Sequence, residues 1–514
     1  MGMACSRCVT LLGVEGHLVE VEADLAGGLP GTTLIGLPDT SLFEARDRVR
    51  AAVVNSGWQW PGGRNTIGLF PAALPKSGSG FDAAVAAAVL AAAGVVPREA
   101  LADRVLLGEL ALDGRMRPLP GVLPAVLTAR RAGITRVVVP AAHVAEASLV
   151  PGMTIDAVDS LTGLVALLRG EDPGVTAPPP APPVEVDRSL DLCDVAGQPR
   201  GRLAVEVAAA GGHHLFFEGP PGAGKTMLAE RLPGLLPPLT ESEALEVTAV
   251  HSVAGVLAPG APLISTPPFR SPHSTASMAA IVGGGSRTLR PGAVSLAHRG
   301  VLFLDEAPEF APNVLDALRQ PLESGVVEVA RSAASARFPA RFTLVLAANP
   351  CPCGRAGTKQ DASCPCPPKT RIAYRQRLSG PLLDRVDLRV QLEPPSKLEF
   401  LDAGRGPRGR HGAESTARVA RRVVVARATA AARLTGLPWR SNGEVPGVEL
   451  RNRWPVSKKA MATALDCFED GRLSARGLDR VLRVAWTVAD LRGRTAPGVA
   501  EVATALQLRL PGMA

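Results

Sequence analysis

The chain has 514 residues, 46% of them hydrophobic and 20% charged, which suits about two to four domains with large buried cores. It holds no uncharged apolar run of the roughly 18 residues that mark a membrane span, and no basic leader before an apolar core, so a cytoplasmic protein without a membrane partner is expected. Eight cysteines are too few for a disulfide scaffold, and the formal charge of +8 allows an acidic partner. Aromatic residues make up only 4%, with Tyr374 the single tyrosine, which argues against a nucleic-acid platform of stacked rings.

In chain order, Val9 to Leu25 alternates like a hairpin or two strands, and Leu42 to Ser56 reads as a helix. Phe81 to Ala93 is Ala-rich and carries Asp82, the pattern of a buried helix. A helix over Val122 to Ala132 precedes a buried strand, Ile134 to Pro140. Glu171 to Val186 has six prolines in sixteen residues, so it favours extended geometry and reads as a semi-rigid linker. From Leu190 to Glu393 short apolar strands alternate with helices, the sign of a parallel α/β sheet. The C-terminal part is helical over Ala417 to Leu434 and Ser474 to Leu491, and between Leu401 and Ala460 it has thirteen Lys/Arg against four Asp/Glu. The expected division is 1–170, an N-terminal domain; 171–188, a linker; 189–400, an α/β core; and 401–514, a basic helical region.

The run Gly219, Pro220, Pro221, Gly222, Ala223, Gly224, Lys225, Thr226 comes after a strand-like segment, His214 to Glu218, and opens a helix at Met227 to Leu232. That is the phosphate-binding loop pattern in its proper context. Its glycines turn backbone amides towards phosphates at a helix N-terminus, Lys225 reaches the β- and γ-phosphates, and Thr226 ligates Mg²⁺. The apolar strand Val301 to Leu304 ends in Asp305 and Glu306, which would hold the magnesium shell and orient or deprotonate the attacking water. A third buried strand, Thr343 to Ala347, leads to Asn349, either a γ-phosphate sensor or a simple polar strand end. ATP and Mg²⁺ are therefore the expected cofactors.

Two α/β crossovers need about 60 residues, fewer than separate Lys225 from Glu306. The surplus falls in Thr266 to Ala297, with Arg270, His273, Arg287 and Arg290. Gly325 to Phe342 reads as a β-hairpin around Arg331, with Arg337 and Arg341 on its strands. Both segments are either solvated loops or a pair of loops that push on a polymer. Cys351-Pro-Cys353 and Cys364-Pro-Cys366, ten residues apart, offer either four ligands to a structural zinc or four reduced thiols. Cys5 and Cys8 lack a second pair and read as inert. Arg418, Arg421, Arg422 and Arg427 form a basic helical pattern, either a solvated face or a source of phosphate contacts.

Taken together, the phosphate loop, LFLDE, LAANPCPCG and LSGPLLDRVDL resemble the magnesium-chelatase-like branch of the AAA+ ATPases. The N-terminal GLPDTSLFEARDRVRAAVVNSGW and LPKSGSGFDAAVA narrow the resemblance to the ComM/YifB family, and it extends over all but the linker and the stretch near 401–413. It implies a P-loop AAA+ core with a helical C-terminal lid, preceded by an α+β Lon-protease-like domain. It also implies a homo-hexameric helicase that drives branch migration of DNA, single- and double-stranded and without sequence preference, during natural transformation. Arg385 matches the family's arginine finger and Arg476 its second sensor, and the basic loops (Arg270, Arg287, Arg290, Arg331, Arg337) match hairpins that touch DNA. In the Lon-like register the nucleophile position falls on Gly80 and the lysine position on Leu123, so no peptidase is expected. The rival reading is a chelatase-like ATPase that remodels a protein; a metal-dependent adhesion domain, expected in that system, is not recognisable in the sequence.

Overall fold

A computed structural model describes residues 2–36, 40–76, 78, 80–175, 190–258, 260–285, 289–330, 335–356, 363–399 and 414–510. Most of the expected linker, together with 401–413, Ser79, Arg287 and Arg331, lies outside these residues.

The N-terminal part opens with a long antiparallel hairpin, β1 (Gly2–Leu12) and β2 (Glu15–Ala26), paired from Gly2↔Leu25 to Leu12↔Glu15. With β3 (Gly31–Ile35) and β4 (Arg64–Phe70) it forms a sheet of order β1-β2-β4-β3. Helix α1 (Thr40–Asn55) packs on α2 (Asp82–Ala92), every residue of which is buried. An Ala-rich helix that is apolar all round can only be satisfied inside a core. Asp82 survives there because Arg48 grips both its oxygens at 2.6 and 2.9 Å, and the Leu110 amide adds a third bond. Helix α3 (Val122–Arg131) connects the first two strands of a second, parallel sheet of β5 (Arg104–Leu106), β6 (Arg136–Pro140) and β7 (Thr154–Val158). Cys5 and Cys8 lie within β1, and burial pushes the Cys8 thiol up to about 12, so it stays protonated.

The core begins with α4 (Pro199–Gly211) and continues with β8 (Leu215–Glu218), α5 (Lys225–Arg231) and α6 (Glu241–Ala254). Next come β9 (Phe269–Arg270), β10 (Val301–Leu304), α7 (Arg319–Ser324), the hairpin β11 (Val326–Ala330) and β12 (Ser335–Pro339), β13 (Thr343–Ala348), α8 (Pro368–Gln376) and β14 (Leu388–Gln391). Its sheet has order β9-β10-β13-β8-β14 and is parallel throughout. All residues of β10 and β13 are buried, as continuous apolar runs covered on both faces should be. The surplus segment starts later than expected. Arg270 is a residue of the edge strand β9, half-buried, with Nη2 2.8 Å from His251 Nε2. Beyond β9 the chain makes two short helices and a small ladder that pairs Gly283 with Pro291 and Gly284 with Arg290.

The C-terminal helices α9 (Thr416–Arg433), α10 (Lys458–Glu469), α11 (Ala475–Leu491) and α12 (Val499–Arg509) have a small apolar cluster of their own around Leu434, Val445, Leu450, Leu482 and Trp486, but most of their buried side chains join the core of the sheet. Val419, Val423, Val481, Val484 and Leu506 share one apolar cluster with α4 and the sheet residues Leu215, Phe217 and Leu388. The basic pattern on α9 turns partly inward. Arg422 pairs with Glu206 and Glu414, and Arg427 donates to the Ala209 carbonyl, so these two are committed within the chain.

A buried polar relay joins lid to core. Arg480 donates to Asp387 at 2.5 Å, Asp387 meets His213 at 3.2 Å, and His213 meets Thr487 at 2.7 Å. Asn442 then links Thr487 to Asp490, which Arg433 grips at 2.6 and 2.7 Å while stacked on Trp486. Burial alone would raise the Asp387 carboxyl, but Arg480, His213 and Arg483 outweigh it and hold it well below the ordinary carboxylate range. Removing one partner of a buried pair leaves the other uncompensated, at a cost of about 3–5 kcal/mol. Asp387→Ala should therefore lower the urea midpoint of the core markedly, whereas Arg418→Ala on the surface should not. Because the folded carboxyl titrates below its unfolded value, its contribution is complete above about pH 4 and fades as pH falls further. The wild-type midpoint should drop on acidification more steeply than that of the Asp387 variant; parallel curves would refute the assignment.

Candidate nucleotide site and arginine cleft

The phosphate loop spans the end of β8 and the start of α5. Gly222 and Gly224 have φ of +77° and +86°, conformations open to glycine at no steric cost, and they turn the loop's amides inward. Lys225 is buried and donates to the carbonyls of Gly219 and Pro220 at 2.6 and 3.0 Å and to Asn349 Oδ1 at 3.0 Å. Burial lowers its pKa while Asp305 and Glu306 oppose that shift. Those three carbonyl-type oxygens stand where phosphate oxygens would take over the ammonium donors.

Thr226 Oγ1 donates to Asp305 Oδ2 at 2.8 Å, and Asp305 Oδ1 accepts from the Glu306 amide at 2.9 Å. A hydroxyl and a carboxylate side by side form the hard-oxygen donor set that Mg²⁺ prefers when it keeps several waters. Glu306 is exposed and has φ of +49°, an uncommon left-handed conformation for a side-chain-bearing residue, of the kind that clusters at functional sites. Strands β8, β10 and β13 thus bring Lys225, Asp305, Glu306 and Asn349 together at the carboxyl ends of the sheet.

Tyr374 on α8 was not expected here. It is buried, bonds the backbone of Asn349, and its hydroxyl is pushed up to about 12, chiefly by burial. Its being the sole tyrosine was the only sequence signal.

The four cysteines converge beside this site. Sγ of Cys351 lies 3.4 Å from Cys353 and 3.7 Å from Cys364, Cys353 lies 3.4 Å from Cys364, and all four sulfurs fall within 4.8 Å of one another. Tetrahedral zinc with Zn–S near 2.3 Å places its sulfurs about 3.8 Å apart, so the donor set fits that ion. The Ala356 amide donates to Cys351 Sγ at 3.4 Å. Burial would raise the Cys351 thiol, yet that amide and the neighbouring sulfurs bring it down to about 6. The knot also backs onto the phosphate loop, since a Cβ on Gly354 would stand 2.5 Å from Pro221 Cδ.

Arg385 and Arg476 lie elsewhere. Both line a cleft of about 770 Å³ between core and lid, with eight arginines and five carboxylates on its walls. His214, Gly300, Thr343 and Asp387 also line it, and each of these precedes or opens a core strand. The cleft is therefore at the amino edge of the sheet, whereas the phosphate loop is at the carboxyl edge. The four residues of β8 alone separate the two edges by about 13 Å at ~3.3 Å per residue. Arg385 donates from Nη1 to the Pro381 carbonyl at 2.7 Å and pairs with Glu323. Burial lowers its pKa, with Arg319, Arg480 and Arg476 adding to the effect.

Of the residues expected to touch a polymer, Arg290 and Arg337 are exposed. Arg290 belongs to the small ladder and Arg337 to β12, opposite Glu328. The two elements adjoin, because a Cβ on Gly283 would lie 3.4 Å from Val329 Cγ2. Arg341 instead lines the cleft at the base of the hairpin.

The family described as magnesium chelatase, subunit ChlI, matches residues 191–400, and the descriptions of that subunit and of its C-terminal part match 21–143 and 413–509. An uncharacterised protein of Mycobacterium tuberculosis is 52% identical over 512 residues, covering 100% of this chain and 99% of its own. The YifB protein of Escherichia coli is 41% identical over 493 residues, and the competence protein ComM of Haemophilus influenzae 39% over 509, each alignment covering 96% of this chain and 94% of the relative. With a phosphate loop, an acidic strand end and an arginine cleft set on one parallel sheet, and near-full-length identity to these relatives, the chain belongs to the magnesium-chelatase-like AAA+ family of ComM and YifB.

Proposed function

We propose that the chain is an ATP-hydrolysing motor that works as a homo-hexamer on DNA and promotes branch migration of recombination intermediates, as in natural transformation. The observation that carries the hydrolytic part is the division of the machinery between the two edges of one sheet. Lys225 and the loop amides bind the triphosphate, and Thr226 and Asp305 would hold Mg²⁺, which would supply neutralisation of phosphate charge. Glu306 orients the attacking water and takes its proton as the oxygen bonds to the γ-phosphorus, while ADP departs as leaving group. Asn349, held by Tyr374 and Lys225, reports the γ-phosphate. Arg385 and Arg476 face away from their own chain's phosphates, so both are assigned to the nucleotide of an adjacent copy, where they stabilise charge on the transferring phosphoryl group.

The DNA part rests on the likeness to the competence protein ComM and on the exposed Arg290 and Arg337 of two adjoining hairpin elements. Arg287 and Arg331 fall in the same two segments of the sequence, and Arg270 lies in the edge strand β9. Such contacts would be to phosphates, without base readout. The N-terminal domain is read as a Lon-protease-like module without a Ser/Lys dyad: Gly80 and the fully buried Leu123 occupy the two positions. The four cysteines are assigned to one structural zinc, which would fix the turn after Asn349 against the phosphate loop. A cytoplasmic location completes the reading.

Lys225→Ala, Arg385→Ala and Arg476→Ala should each reduce ATP turnover at least about 100-fold as pure assemblies. Mixing the Lys225 variant with either arginine variant should restore a fraction of the activity, because some interfaces then combine an intact loop with intact arginines. Mixing the two arginine variants should restore none. Rescue in that last mixture would show that the arginines do not act together across an interface.

Protein purified under reducing, chelator-free conditions should contain one zinc per chain by mass spectrometry, and Cys364→Ser should lose it. A wild-type preparation without zinc ends that assignment.

The motor reading is tested with a labelled synthetic four-way junction and ATP. Wild type should resolve it and Lys225→Ala should not. No movement, with turnover indifferent to any DNA, would favour a chelatase-like ATPase acting on a protein.

A further inference from the structure

The finger is not free in the single chain. Arg385 pairs with Glu323, the penultimate residue of α7, whose side chain is 65% exposed while that of Arg385 is 16% exposed. Around Arg385 stand three more arginines, Arg319, Arg476 and Arg480. Arg480 is matched by Asp387, which leaves Glu323 as the counter-charge that touches the finger itself.

Glu323 is also close to the base of the hairpin, and the joint between them has no slack. Gly325 sits in the left-handed region at φ +68° and donates to the Pro321 carbonyl at 2.9 Å. Ser324 Oγ shares its one hydrogen between the carbonyls of Gln320 and Val326, at 3.0 and 2.9 Å, and accepts from the Val326 amide at 3.2 Å, and the Gly325 carbonyl accepts from the Ala340 amide at 2.8 Å. The last turn of α7 and the first pair of β11–β12 are thus one hydrogen-bonded unit. Glu323, Ser324, Gly325 and Arg341 line the same cleft as the finger. Any tilt of the hairpin must carry the Glu323 carboxylate with it.

A guanidinium occupied by a carboxylate is poorly available to a phosphoryl oxygen, and a carboxylate at that spot also repels an incoming triphosphate. Resting on the motor reading above, we propose that Glu323 is the positioning residue through which the β11–β12 hairpin governs the trans arginine. With the hairpin free, Glu323 holds Arg385 in an ion pair within its own chain. With the hairpin drawn aside by a polyanionic strand, the carboxylate leaves and Arg385 turns to the adjacent copy's nucleotide. Hydrolysis is thereby coupled to the polymer without any residue touching both.

The test is steady-state ATP turnover of the full chain, with and without a synthetic four-way junction. It compares wild type, Glu323→Gln and Glu323→Asp at concentrations where sedimentation shows the same assembly. Glu323→Gln should raise turnover without DNA several-fold, towards the stimulated wild-type rate, so that its stimulation ratio falls close to one. Glu323→Asp, which keeps the charge, should retain most of the wild-type ratio. An unchanged DNA-free rate in Glu323→Gln overturns the proposal. So does a fall in both rates at an unchanged melting midpoint, which would mean that Glu323 only supports the finger. If wild type ignores DNA altogether, the motor reading fails by itself; a raised rate in Glu323→Gln then still supports the hold on Arg385, and an unraised one removes it.

Discussion

A parallel strand has a carboxyl end and an amino end, and side chains fixed at one cannot serve chemistry at the other. In this core the carboxyl ends of β8, β10 and β13 present the phosphate loop, Asp305 and Asn349, while residues at the start of the same strands line the arginine cleft. The strands are short, and β10 and β13 are fully buried, so neither edge can slide towards the other without breaking the sheet. Every other feature of the site is arranged around that separation.

Gathering arginines at one edge has an electrostatic cost, and buried carboxylates at the same edge offset it. Eight arginines against five carboxylates leave the cleft positive, and burial makes their mutual repulsion stronger than it would be in water. Asp387 is the central counter-charge, buried and ion-paired to Arg480, and it sits only two residues after the finger. Through His213 and Thr487 it also ties α11, and therefore Arg476, to the start of the sheet. The segments that carry Arg385 and Arg476 are thereby joined by one buried polar network, in keeping with the apolar cluster that runs unbroken from sheet to lid.

The sequence was most legible where chemistry and local structure coincide. Gly219 to Thr226 needs a strand before it, a helix after it and glycines between, and all of these are contiguous in the chain; Asp305 and Asn349 follow as the ends of apolar runs. The β11–β12 hairpin was equally plain from its alternation. What could not be read was direction. Arg385 and Arg476 were identifiable from their motifs; Arg385 is at the amino edge because it precedes β14, but the edge that Arg476 occupies is set by the lid's packing on α4, a contact between residues more than 200 apart. The same limit applies to Arg422 and Arg427, which look like a solvated basic face until α4 is placed beside them. Arg270 was assigned to a loop because a two-residue strand leaves almost no periodicity to detect.

Helix α6 belongs to two bodies at once. Its Ala249 and Leu245 are packed into the N-terminal core, its Ser252 bonds Glu146 there at 2.5 Å, and its Glu246 meets His298 and Arg299 just before β10, the strand that carries Asp305. A second contact joins Gly13, in the turn of β1–β2, to Arg337 on the hairpin. The N-terminal domain is therefore mounted at two points, one on the shaft leading to the acidic strand end and one on the hairpin itself. A body attached at two points bridges them, so relative displacement of the acidic strand and the hairpin would strain the contacts at both mounts.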